Sequence, residues 1–133
     1  MVKDDYPFSK IEIGESFSSG ISTHVDWKPR TNIIEMGDLI TVEVELPGVN
    51  KEDVTIFLQD SKEIVIKGFK AQPRLNEQQV TYHLFEREFG SFYKKITIQF
   101  PLDVSKIDSI MENGVLTIRL PRKKVEKISV DIK

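Results

Sequence analysis

Residues 111–121 read Met-Glu-Asn-Gly-Val-Leu-Thr-Ile-Arg-Leu-Pro, and this stretch decides the fold. Asn113-Gly114 favours a tight reversal with positive φ, because glycine has no Cβ to clash and asparagine tolerates the left-handed region. Beyond the turn, Leu116, Ile118 and Leu120 fall on one side of a strand. Val115, Thr117 and Arg119 fall on the other, and Pro121 ends the run. One face of that strand is fit to be buried, so the stretch predicts a hairpin packed against a core.

Working outward, the same alternation returns. Residues 39–46 place Ile40, Val42, Val44 and Leu46 against Leu39, Thr41, Glu43 and Glu45, and Pro47-Gly48 breaks the strand. Val54, Ile56 and Leu58 alternate with Thr55, Phe57 and Gln59. Ile64, Val65 and Ile66 run consecutively, which predicts burial on both faces of the next strand. Residues 71–80 are polar, contain Pro73 and read as a loop. Residues 82–86 suit a short strand. From Phe92 on, Ile96, Ile98 and Phe100 alternate with Tyr93, Lys95, Thr97 and Gln99 until Pro101. Trp27, the only tryptophan, suits a buried anchor near the start of the ordered part. The sum is about seven or eight short strands without a three-turn helix, which predicts an all-β, immunoglobulin-like sandwich of two antiparallel sheets.

Composition narrows the function. A chain of 133 residues suits one domain burying roughly two thirds of its unfolded surface. Its 19 basic and 21 acidic residues are spread along the chain, which argues against nucleic acid as a partner. The absence of cysteine removes disulfides, thiolate metal sites and thiol nucleophiles. No apolar run resembles a signal segment or a membrane span, so the expectation is a cytoplasmic protein without a membrane partner. No phosphate-binding glycine motif is present, and His24 and His83 stand apart from any metal-ligand spacing. No enzyme, cofactor or metal is expected. An enzyme with an unrecognised site is the least favoured reading.

Four further stretches join Asn113-Gly114-Val115-Leu116 in a family resemblance. They are Asp26-Trp27, Leu46-Pro47-Gly48-Val49 followed by Lys51-Glu52-Asp53-Val54, Lys67-Gly68, and Arg87-Glu88-Phe89-Gly90-Ser91-Phe92. Together they resemble the α-crystallin domain of small heat shock proteins, the Hsp20 family, in its bacterial, archaeal and plant branch. The resemblance spans about residues 25–130 and implies three parts: an N-terminal arm over 1–24, the domain over 25–121 and a tail over 122–133. It implies an ATP-independent holdase that binds partly unfolded clients and is built from dimers into larger homo-oligomers, with ATP-dependent chaperones acting downstream.

By the same resemblance, Tyr82, His83, Leu84, Phe85 and Glu86 would cross to a second subunit and pair near its Trp27. The alternative is a hairpin closing on its own sheet. Ile128-Ser129-Val130 is similar to the family's Ile-x-Ile/Val tail motif, which docks on a neighbouring subunit by strand addition. The receiving groove is expected at Val54, Ile56 and Ile110. The alternative is a final strand added to the chain's own sheet. Tyr6, Phe8, Ile11 and Phe17 follow no sustained period, so the arm either touches clients or covers a flank of the sheet. The chain departs from the family pattern at Lys94-Lys95, where arginines are usual, and at Ser109, where alanine is usual. Lysine lacks the arginine fork, so a subunit contact at 94–95 should be weaker or differently made. An adaptor of the CS or p23 type shares the sandwich, lacks the tail motif and is the second reading of function.

Overall fold

The structure is a computed structural model and describes residues 12–14, 25–73, 75, 79–124 and 127–133. Eight strands are described: β1 Glu12–Gly14, β2 Thr31–Met36, β3 Leu39–Glu45, β4 Val54–Gln59, β5 Glu63–Lys70, β6 Gly90–Thr97, β7 Asp108–Glu112 and β8 Val115–Pro121. The only helical pieces among the described residues are single 3-10 turns at Lys51–Asp53 and Val104–Lys106. Two antiparallel sheets form, with strand orders β1-β6-β5-β4 and β2-β3-β8-β7. The all-β sandwich expected from the alternation is the fold.

Asn113 and Gly114 adopt φ values of 53° and 74°, and the turn pairs Glu112 with Val115 and Met111 with Leu116. The reversal sets the register of β7 against β8, and β8 pairs on its other side with β3, where Ile40 faces Leu120, Val42 faces Ile118 and Val44 faces Leu116. All six side chains are buried in one core with Leu46, Ile64, Ile66, Phe92, Ile96 and Ile98. The alternation read from the sequence therefore marks the inward rows of both sheets. Ile64, Val65 and Ile66 are all buried, as their consecutive run implies.

Four segments differ from expectation. Thr31–Met36 is a strand that the sequence reading passed over, and it joins β3 through a two-residue turn at Gly37-Asp38. Its Ile33-Ile34 pair breaks strict alternation: Ile33 is buried and Ile34 exposed. Gly-Asp between two apolar runs was the available signal. Residues 25–30 form no strand. They are tied by backbone bonds from Asp26 N and Trp27 N to Ser91 O, at 2.9 and 3.3 Å. Residues 82–86 likewise form no strand in the single chain. Glu12–Gly14, inside the segment read as an arm, pairs with Thr97, Ile96 and Lys95 at the edge of β6.

Gly68 shows why the Lys-Gly pair sits where it does. A Cβ there would overlap the Asp53 carbonyl oxygen and lie 2.6 Å from Phe92 Cζ. The entry to β4 and the Phe92 ring both press on β5 at this point, and only glycine leaves room. Gly68→Ala should destabilise the fold by about 1–3 kcal/mol, read as a lower denaturation midpoint with an unchanged slope.

Candidate functional site

The sandwich presents two flanks. Lys94 Nζ on β6 donates to Pro29 O and Thr31 Oγ1, at 3.1 and 3.0 Å, which ties β6 to the start of β2. Given the two strand orders, the opposite ends of the sheets, β4 and β7, share the other flank. There Val54, Ile56 and Leu58 from β4 are half-buried against the core, with Ile107 and Met111 beside β8. Each outer strand carries backbone donors and acceptors on one side with no strand of its own sheet to meet them.

Of the residues expected to form the groove, Val54 and Ile56 are half-buried on β4 and Ile110 lies on β7. Ile110 pairs with Thr117, while Leu116 and Ile118 on either side of Thr117 face the core. Ile110 therefore points outward and is 51% exposed. Met111, opposite Leu116, takes the inward place. The two-residue turn at Asn113-Gly114 fixes this facing arithmetically, so the sequence held the signal.

Beyond β8 the chain is held at Arg122 N to Asp38 O, 2.7 Å, and Lys123 N to Pro101 O, 2.9 Å. Residues 127–133 then form no strand. Ile128, Val130 and Ile132 are 83%, 81% and 99% exposed. The alternative of a final strand on the chain's own sheet is not what the structure has.

The segment before β6 is a second exposed apolar surface. Tyr82 and Phe85 meet edge to face at 5.0 Å, and Phe85 lies 6.2 Å from Phe89. With Leu75 and Leu84 they line an apolar hollow of about 250 Å³. Leu84 is exposed, as are Tyr82, His83, Phe85 and Glu86. The base of the segment is fixed differently. Trp27 is buried against Phe92 at 5.4 Å, its Nε1 donates to Gly90 O at 3.0 Å, and the buried Lys70 ammonium sits 5.3 Å from its ring and 5.7 Å from that of Phe89. Trp27, expected both as a buried anchor and near a subunit contact, is buried in the core of its own chain.

Lys95 pairs with Glu63 at 3.3 Å, so both lysines at 94–95 find partners within the chain. Tyr6, Phe8, Ile11 and Phe17 lie outside the described residues, as does His24. Among the described residues no three His, Cys, Asp or Glu side chains cluster as metal ligands, and no helix is long and apolar enough to cross a membrane.

Comparison with known proteins identifies this architecture. Small heat shock protein C2 of Rickettsia felis is 36% identical over 118 residues, covering 86% of this chain and 75% of its own. Heat shock protein 16 of Schizosaccharomyces pombe is 38% identical over 115 residues, covering 84% and 78%. The solved structure of heat shock protein 16.0 from Schizosaccharomyces pombe superposes with a TM-score of 0.67 at 36% identity, covering 80% of this chain and 99% of that one. A family model described as "Hsp20/alpha crystallin family" matches residues 32–133, and with the sandwich, the Asn-Gly hairpin and the tail in place, the chain belongs to the small heat shock proteins of that family.

Proposed function

We propose that this chain is an ATP-independent holdase, assembled from dimers into larger homo-oligomers, that binds partly unfolded proteins and keeps them from aggregating. The observation that carries the reading is the tail: aliphatic side chains at strand spacing, almost fully exposed, on a chain whose β4/β7 flank is apolar and open at both strand edges. Docking of Ile128 and Val130 on a neighbour's flank, at Val54, Ile56 and Met111, supplies backbone bonds along an edge and two side chains in alternate positions.

Burying two such side chains contributes about 3–6 kcal/mol before the loss of translational freedom and ordering of the tail. One docked tail therefore exchanges, while many tails in one shell hold it together. Residues 82–86 cross between subunits to build the dimer, with Leu84 and Phe85 leaving water as they do. Surfaces uncovered when these contacts open are apolar and extended, suited to unfolded segments of varied sequence. The arm residues Tyr6, Phe8, Ile11 and Phe17 add to client contact, and ATP-dependent chaperones take the clients on. The setting is the cytoplasm. The adaptor reading gains no support from the family match.

The test is the native mass of the intact chain together with suppression of a heat-denatured client's aggregation without ATP. Ile128→Ser with Val130→Ser should reduce large assemblies to dimers and leave the melting of the sandwich within about 0.5 kcal/mol of the parent, since both side chains are exposed. An unchanged mass would remove tail docking. Leu84→Ser with Phe85→Ser should shift dimers to monomers while near-ultraviolet circular dichroism of the core persists. A dimer surviving that change would place the subunit contact elsewhere.

A further inference from the structure

β2 is an outer strand of its sheet and pairs with β3 alone. On it Glu35 lies opposite Ile40, a fully buried residue, so the Glu35 side chain is directed to the core side of the sheet. Its Oε2 is buried and has no hydrogen-bond partner among the described residues. On the other face of the same strand Ile34 and Met36 are exposed. A buried carboxylate oxygen without a donor is costly, and a strand edge without a neighbour is a surface for another strand. Both lacks fall on one six-residue strand.

The chain carries a matching excess in residues 82–89. Arg87 is exposed, its guanidinium rests 4.9 Å from the Phe89 ring, and it makes no ion pair among the described residues. The other cationic candidate of that segment, His83, has at most two ring donors and no planar fork. Arginine stays charged and offers a planar fork that fits a carboxylate. We infer that Glu35 is the acceptor for Arg87 of a second copy, so that β2 and residues 82–89 specify each other across the dimer. This rests on the exchange of residues 82–86 proposed above. It adds the pair of side chains that makes a generic strand edge selective. By two-fold symmetry the pair occurs twice in each dimer.

The full chain is taken as Glu35→Arg, as Arg87→Glu, and as an equimolar mixture of the two, with dimer dissociation followed by native mass spectrometry on dilution. Each single variant should weaken dimerisation by about 30-fold or more, since each places like charges at a buried contact. The mixture should restore dimers of parental tightness, because in a mixed dimer both contacts again join an arginine to a glutamate. Restoration on mixing can arise only between chains. Trp27 fluorescence reports whether each variant folds. Should Glu35→Arg fail to fold, Glu35→Gln and Arg87→Gln form a double-mutant cycle, and non-additive losses support the pair. Single variants with parental affinity, a mixture that stays dissociated, or an additive cycle would overturn it. A parent chain that is monomeric at every concentration would overturn the exchange of residues 82–86 and the pair with it. A dimeric parent with indifferent variants overturns the pair alone.

Discussion

The rest of the molecule depends on the unpaired backbone at its strand edges. Two four-stranded sheets packed face to face have four outer strands, here β1 and β4 in one sheet and β2 and β7 in the other. Closing the sheets into a barrel would remove these edges, but a sandwich keeps them. Each outer strand has a row of N–H and C=O groups that water or another strand must satisfy. One edge is dealt with locally, since Glu12–Gly14 lies along β6. Residues 82–89 and 127–133 lie off both sheets, and all of them but Phe89 are exposed.

Two energy scales follow from this arrangement. Inside, Ile40, Val42, Val44, Ile118 and Leu120 are fully buried and locked in register, so the loss of a single side chain would be felt across the core. At the edges, apolar side chains are half-buried or exposed, and the sheets of this chain leave them so. Association sacrifices translational and rotational freedom that folding within one chain does not, so similar areas of buried carbon give weaker contacts between chains than within one. A contact between chains could therefore open under conditions that leave the sandwich folded, and the holdase proposed above would need that separation.

The sequence displayed the core more plainly than the edges, and the reason is physical. Alternation along β3, β4, β6 and β8 comes from burial on one face, and burial is a property the single chain settles for itself. Glu35 escaped notice because nothing in Thr-Asn-Ile-Ile-Glu-Met separates a solvated acid from one turned toward the core. The facing of Ile110 was legible through the Asn113-Gly114 turn, yet reading it needed the register on both sides of that turn together. Residues 82–86 carry strand-forming side chains and form no strand alone, because a strand is made by its neighbour as much as by its own propensity. Trp27 was legible as an anchor; its partners Phe92, Gly90 and Lys70 come from distant stretches that only the fold brings together.

Edge pairing through the backbone is indifferent to sequence, so selection among the segments that could occupy an edge must come from side chains. The two flanks differ in the required way. The β4/β7 flank presents Val54, Ile56 and Met111 and suits an aliphatic tail. The β2 edge presents a carboxylate oxygen that lacks a donor, and a tail of Ile128, Val130 and Asp131 would bring it carbon and a second negative charge. Residues 82–89 bring Arg87 instead. An orphaned acid is thus a weak point in the isolated chain and, in the dimer proposed above, a filter, because leaving it unpaired penalises the wrong occupant more than pairing it rewards the right one.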